Sequence, residues 1–150
     1  MKELYLFVGN IKAMQLWFHS AHHVTKGASF IADHATLYDE IYNFYSDYFD
    51  SIVEKLVGIT EDEMMACPIH ISQTTNMIIQ DIPTPANKSE YEIAEIALDI
   101  IVNHFNQIER AYDTFEKYEV MTKGMDDLLS ANYNTLEKFA YFLKRKLRKG

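Results

Sequence analysis

Read for the spacing of its apolar residues, the chain falls into four long stretches with the period of a helix. Phe7, Ile11, Met14 and Phe18 share one face of the first stretch. Leu37, Ile41, Phe44, Tyr48, Ile52 and Leu56 run down the second. In the third, Ala94, Ile101, Phe105, Ile108, Tyr112 and Phe115 recur at threes, fours and one seven, and Leu129, Leu136, Phe139, Leu143 and Leu147 do the same in the fourth. Such recurrence lines apolar side chains along one stripe of a helix. Gly9 is a weak point of the first stretch, while Gly27, Gly58 and Gly124 fall between stretches. All three prolines, Pro68, Pro83 and Pro85, gather in one segment, so Gly58 to Tyr91 reads as a long connection with room for a short helix around Gln73 to Gln80. Ser29 and Ser89 stand where the second and third helices need N-caps. The expected fold class is therefore all-α: a ferritin-like four-helix bundle with one long crossover between helices two and three. A growth-hormone-type bundle needs two long crossovers, and only one is visible.

Composition narrows this without changing it. At 150 residues, 48% of them hydrophobic, the chain is expected to form one domain (1–150) with a short basic end from about residue 144. Five glycines disfavour an all-β chain full of tight turns. A single cysteine, Cys67, excludes an internal disulfide framework and fits a reducing, cytoplasmic setting; it reads as a small buried residue near a loop. The first twenty residues, broken by Lys2, Glu3, Asn10 and Lys12, are neither a signal peptide nor a membrane span, so no membrane partner is expected. A net charge of −8 argues against nucleic-acid binding by the bulk surface. One exception is the end "KRKLRKG", with Lys144, Arg145, Lys146, Arg148 and Lys149. It is either favourable charge at a helix C-terminus or a patch for nucleic acid or a partner.

Bundles of this kind often hold two irons inside one subunit through a Glu-x-x-His pair. The residues three before the six histidines are Leu16, His19, Ser20, Ile31, Cys67 and Ile101, so that pattern is missing. The second helix carries Asp39, Asp50 and Glu54, spaced eleven and four, with Asp47 on the same strip. Those carboxylates suit iron or magnesium, and adding imidazole shifts the preference to iron or zinc; the alternative is a solvated acidic face.

The stretch "AHHVTKGASFIADH" (21–34) resembles the corner of the Dps-type miniferritins, His-Trp-Asn-Val-Lys-Gly-x-x-Phe followed by a second His. His22 opens the motif, Lys26, Gly27 and Phe30 hold the expected offsets, and His34 is the second histidine. "DSIVEK" (50–55) is similar to that family's Asp-x-x-x-Glu-Arg segment, and "DDLLSANYNTLEKFAYFLKRKL" (126–147) to its last helix. The resemblance implies a hollow homododecamer that oxidises Fe(II), with peroxide as oxidant, at sites between two subunits on dimer two-folds, stores the ferric product and protects DNA. It implies His22 and His34 as ligands from one chain, Asp50 and Glu54 from its neighbour, and Asp39 as an assisting acid. Weak DNA binding and association with the nucleoid are further implications.

Two departures from the motif matter. His23 and Val24 replace its Trp and Asn, and His19 stands one helical turn before His23, either as a further imidazole near the site or as a surface histidine. His34 and Asp50 lie sixteen apart where the family has fifteen, and the extra residue falls within Ala35 to Tyr38. In a continuous helix it would rotate His34 by about 100° relative to Asp50. The expectation is a π turn near Tyr38 that absorbs it. Otherwise the chain is a Dps-like shell without ferroxidase activity, serving DNA binding or scaffolding, or a plain four-helix interaction module. His70 and His104 read as structural or surface residues.

Overall fold

Helices make up most of the described residues, 2–148, in the computed structural model. α1 spans Lys2–Val24. After a short corner, α2 runs in three parts: an α turn (Phe30–Ala32), a π turn (Asp33–Leu37) and a long α segment (Tyr38–Thr60). A 3₁₀ turn (Glu63–Ala66) leads into α3 (Pro68–Ile79), which lies within the crossover. α4 (Glu90–Lys117) and α5 (Lys123–Leu147) complete the bundle. α1 packs along α2 and under α3, while α4 pairs with α5. No helix among the described residues is long and apolar enough to cross a membrane.

The apolar stripes meet where their spacing sends them. Phe7, Ile11, Met14 and Phe18 of α1, Ile41, Tyr48, Ile52 and Leu56 of α2, Ala94, Ile101, Ile108 and Phe115 of α4, and Leu129, Leu136, Phe139 and Leu143 of α5 are all buried. Leu37, Phe44, Phe105, Tyr112 and Leu147 pack on the edge of that core. Phe18 stacks on Tyr45 with ring centroids 5.5 Å apart, tying α1 to α2. Each buried Leu, Ile, Met or Phe among them contributes about 1.5–3 kcal/mol through burial.

Several local expectations are sharpened. Ser89 caps α4 in a full capping box with Glu92, but the Ser29 side chain makes no cap bond. Gly58 and Gly124 lie inside α2 and α5; the left-handed positions that end α2 and α4 belong to Glu61 and Glu119 instead. The crossover helix is longer than expected, because Pro68 at its first turn starts it, the position where a missing N–H costs nothing. Gly9 is no weak point. A Cβ there would stand 2.5 Å from Thr74 Cγ2, so the glycine lets α3 lie directly against α1. Trp17 Nε1 donates to the carbonyl of Pro83 at 2.8 Å and fixes the far end of the crossover to the same helix.

Candidate metal centre

The corner between α1 and α2 is built around a glycine and a buried ion-pair cluster. Gly27 has φ +97°, and a Cβ on it would fall 2.9 Å from the carboxyl carbon of Glu90. Only glycine satisfies both the left-handed backbone and that approach. The Glu90 carboxylate accepts the Ser29 backbone N–H at 3.3 Å and meets Lys146 Nζ at 3.3 Å. Lys146 also reaches Asp33 at 2.7 Å, and the three side chains are only 6–11% exposed. Burial alone would lower the Lys146 pKa, but the Asp33 and Glu90 carboxylates outweigh it and hold the ammonium above its ordinary value. Thus α5, through one lysine, clamps the first residues of α2 to the start of α4.

Immediately after Asp33 the helix takes up its extra residue. In the π turn the Tyr38 N–H bonds to the Asp33 carbonyl, five residues back, instead of to that of His34. The His34 carbonyl accepts Nδ1–H of His22 at 2.6 Å, and the His22 carbonyl, in the last turn of α1, accepts Nδ1–H of His34 at 2.7 Å. The two imidazoles lie face to face, centroids 4.1 Å apart and 12° from parallel, with Phe30 stacked 5.1 Å beyond His34. A carbonyl can only accept, so both Nδ1 atoms carry hydrogen. In the neutral rings both Nε2 atoms then carry a lone pair, the form and orientation a metal-binding imidazole requires.

Of the residues expected at the site, the fold brings His22 and His34 together and leaves the acids elsewhere on the chain. Asp50 and Glu54 are exposed, and Asp50 lies sixteen residues along α2 from His34, about 24 Å at helical rise. They cannot join the histidines of their own chain. Asp39 is half-buried, with its carboxylate accepting Nδ2 of Asn43 at 3.2 Å. Among the described residues no three His, Cys, Asp or Glu side chains converge as a metal site within one chain.

Elsewhere, Lys144, Arg145 and Arg148 are exposed at the end of α5, and Lys149 lies outside the described residues. Lys146 departs from the expected basic patch: its ammonium points inward, into the Asp33 and Glu90 cluster. His19 stacks on Tyr42 with centroids 4.0 Å apart, and partial burial together with neighbouring His23 and His22 holds it below the usual histidine pKa. His70 stacks on Tyr5 and His104 is wholly buried.

The Asp33, Glu90 and Lys146 cluster was not singled out by motif, yet the spacing carried a signal. Glu90 precedes Ala94, Ala97 and Ile101, and Lys146 follows Leu136, Phe139 and Leu143, both on the buried register of their helices. A charge on an apolar stripe is a candidate for a buried ion pair.

No protein-family model matches the chain, and no curated protein sequence matches it. Solved structures do. Dps from Microbacterium arborescens in the high iron form superposes with a TM-score of 0.78 at 21% identity, covering 99% of this chain and 91% of that one. A Dps protein from Bacillus brevis gives 0.72 at 17% identity, covering 97% and 93%. Dps from Thermosynechococcus elongatus gives 0.72 at 19%, covering 99% and 92%. The bundle, its crossover and its helical corner therefore have the fold of the Dps-type miniferritins.

Proposed function

We propose that this chain is an iron-oxidising miniferritin subunit, a ferroxidase that works between two copies of itself. The carrying observation is the reciprocal bonding of His22 and His34, which leaves an Nε2 lone pair on each imidazole for metal binding. Asp50 and Glu54 of a second copy supply the carboxylates, and Asp39 assists. Imidazole and carboxylate together hold Fe(II), the substrate, and tolerate Fe(III). Two Fe(II) give one electron each to peroxide; its O–O bond breaks with uptake of two protons, and two waters leave. Consuming peroxide this way suppresses hydroxyl radicals and protects DNA. The ferric product moves into the cavity of a homododecameric shell, whose acidic charge attracts Fe(II). On this reading the protein works in the cytoplasm, with weak DNA contact through Lys144, Arg145, Arg148 and Lys149.

The π turn favours this reading over an inert shell, because it takes up the extra residue that would otherwise rotate His34 relative to Asp50 along α2. The test is anaerobic Fe(II) loading followed by peroxide, with size-exclusion chromatography of the same samples. Wild type is expected to elute as a dodecamer and to oxidise iron faster than a His22→Ala, Glu54→Ala double variant. Equal rates would remove the catalytic role, and a monomer would remove the shell.

A further inference from the structure

A second pair of histidines lies beside the first and belongs to neither the motif nor the clamp. His19 and His23 are four residues apart on α1, which sets them one above the other on the same face. Their ring centroids are 4.3 Å apart with the planes at 46°. His22 and His34 face each other nearly in parallel, with both Nδ1 atoms bound to backbone; His19 and His23 make no hydrogen bond among the described residues, so their ring nitrogens are open. Tyr42 of α2, stacked under His19 at 4.0 Å, holds one ring in place, while His23 is exposed and free to turn toward it. His23 also stands where the miniferritin corner motif has Trp.

We propose that His19 and His23 form a separate metal position, a two-imidazole site for a borderline divalent ion such as Cu²⁺ or Zn²⁺. An imidazole-only ligand set with no carboxylate favours these ions over Fe(II), following the Irving–Williams order. In such a site one nitrogen of each ring would lie about 2.0–2.1 Å from the shared ion, with water completing the coordination. The pair lies within one chain, with His23 only 5.4 Å from His22 by ring centroid. Its occupation therefore needs no partner's carboxylates and does not depend on the ferroxidase reading.

Cu²⁺ titration of the metal-free protein, followed by calorimetry and pulsed electron paramagnetic resonance, tests this. A His22→Ala variant, in which the first pair is broken, is expected to retain about one Cu²⁺ per chain, coupled to two imidazole nitrogens. Adding His23→Ala should abolish that ion, and adding His19→Ala instead should do the same. Circular dichroism checks that each variant stays helical; the His23 side chain is exposed, so its removal leaves the core intact. Retention of the ion in the His22→Ala, His23→Ala protein, or coupling to a single nitrogen in the parent variant, would overturn the site.

Discussion

His104 sits fully buried in the bundle, its Nδ1 sharing a hydrogen bond with the Tyr45 hydroxyl at 3.0 Å and Tyr48 stacked alongside. Burial pushes its pKa down from 6.5 to about 3, so the ring is neutral in the folded protein well below the pH at which it takes a proton in the unfolded chain. Between those values the unfolded state binds the extra proton. Stability from this residue is therefore complete above pH 6.5 and is lost as pH falls toward 3, at up to about 1.4 kcal/mol per pH unit. Urea midpoints measured from pH 7 to 4 should fall more steeply for wild type than for His104→Gln, which keeps a polar group but cannot titrate. Parallel slopes would place the acid sensitivity on other residues. His22 and His34 each spend one ring nitrogen on backbone and keep the other for solvent or metal.

At the scale of elements, the corner is held by a clamp that spans three of them. Lys146 on α5 has Asp33 of α2 on one side and Glu90 of α4 on the other. Replacing it by Met would leave two buried carboxylates facing each other without a counter-charge. Breaking a buried pair of this kind costs about 3–5 kcal/mol. The Lys146→Met midpoint in denaturant should fall accordingly, and Asp33→Asn added to it should recover part of the loss by removing one of the two charges. A loss below about 1 kcal/mol would show the cluster to be solvated, as exposed ion pairs are. The four stripes and the crossover were legible in the spacing, which dictates which faces pack, and the two corner histidines through the resemblance of residues 21–34 to a family motif. The π turn was legible only as a counting mismatch between His34 and Asp50, and it opens at Asp33, earlier than the Tyr38 region where it was expected. The clamp was not read, because its three members are far apart in the chain and only folding gives each its partner. The same holds for Gly9 and Gly27, whose need for glycine comes from Thr74 and Glu90 of other elements.

At the scale of the whole molecule, the fold changes what the basic end can do. The net charge of −8 repels DNA, so any contact must come from a local patch. With Lys146 committed to Asp33 and Glu90, that patch consists of Lys144, Arg145 and Arg148 together with Lys149, which lies outside the described residues. Removing residues 144–150 outright would also remove the clamp, and lost DNA retention could then reflect a damaged corner. Charge-neutralising substitutions Lys144→Ala, Arg145→Ala and Arg148→Ala keep Lys146 and separate the two effects. If twelve copies assemble, each weak patch adds to the others through effective concentration. Wild type should then retard DNA near 50 mM salt and release it as salt rises to about 200 mM, the signature of counterion release. The triple variant should fail to retard DNA at either salt while eluting as the same oligomer and oxidising iron at the wild-type rate. Retardation equal to that of wild type would exclude the end of α5 as the DNA contact and leave the acidic protein without this basic route to nucleic acid.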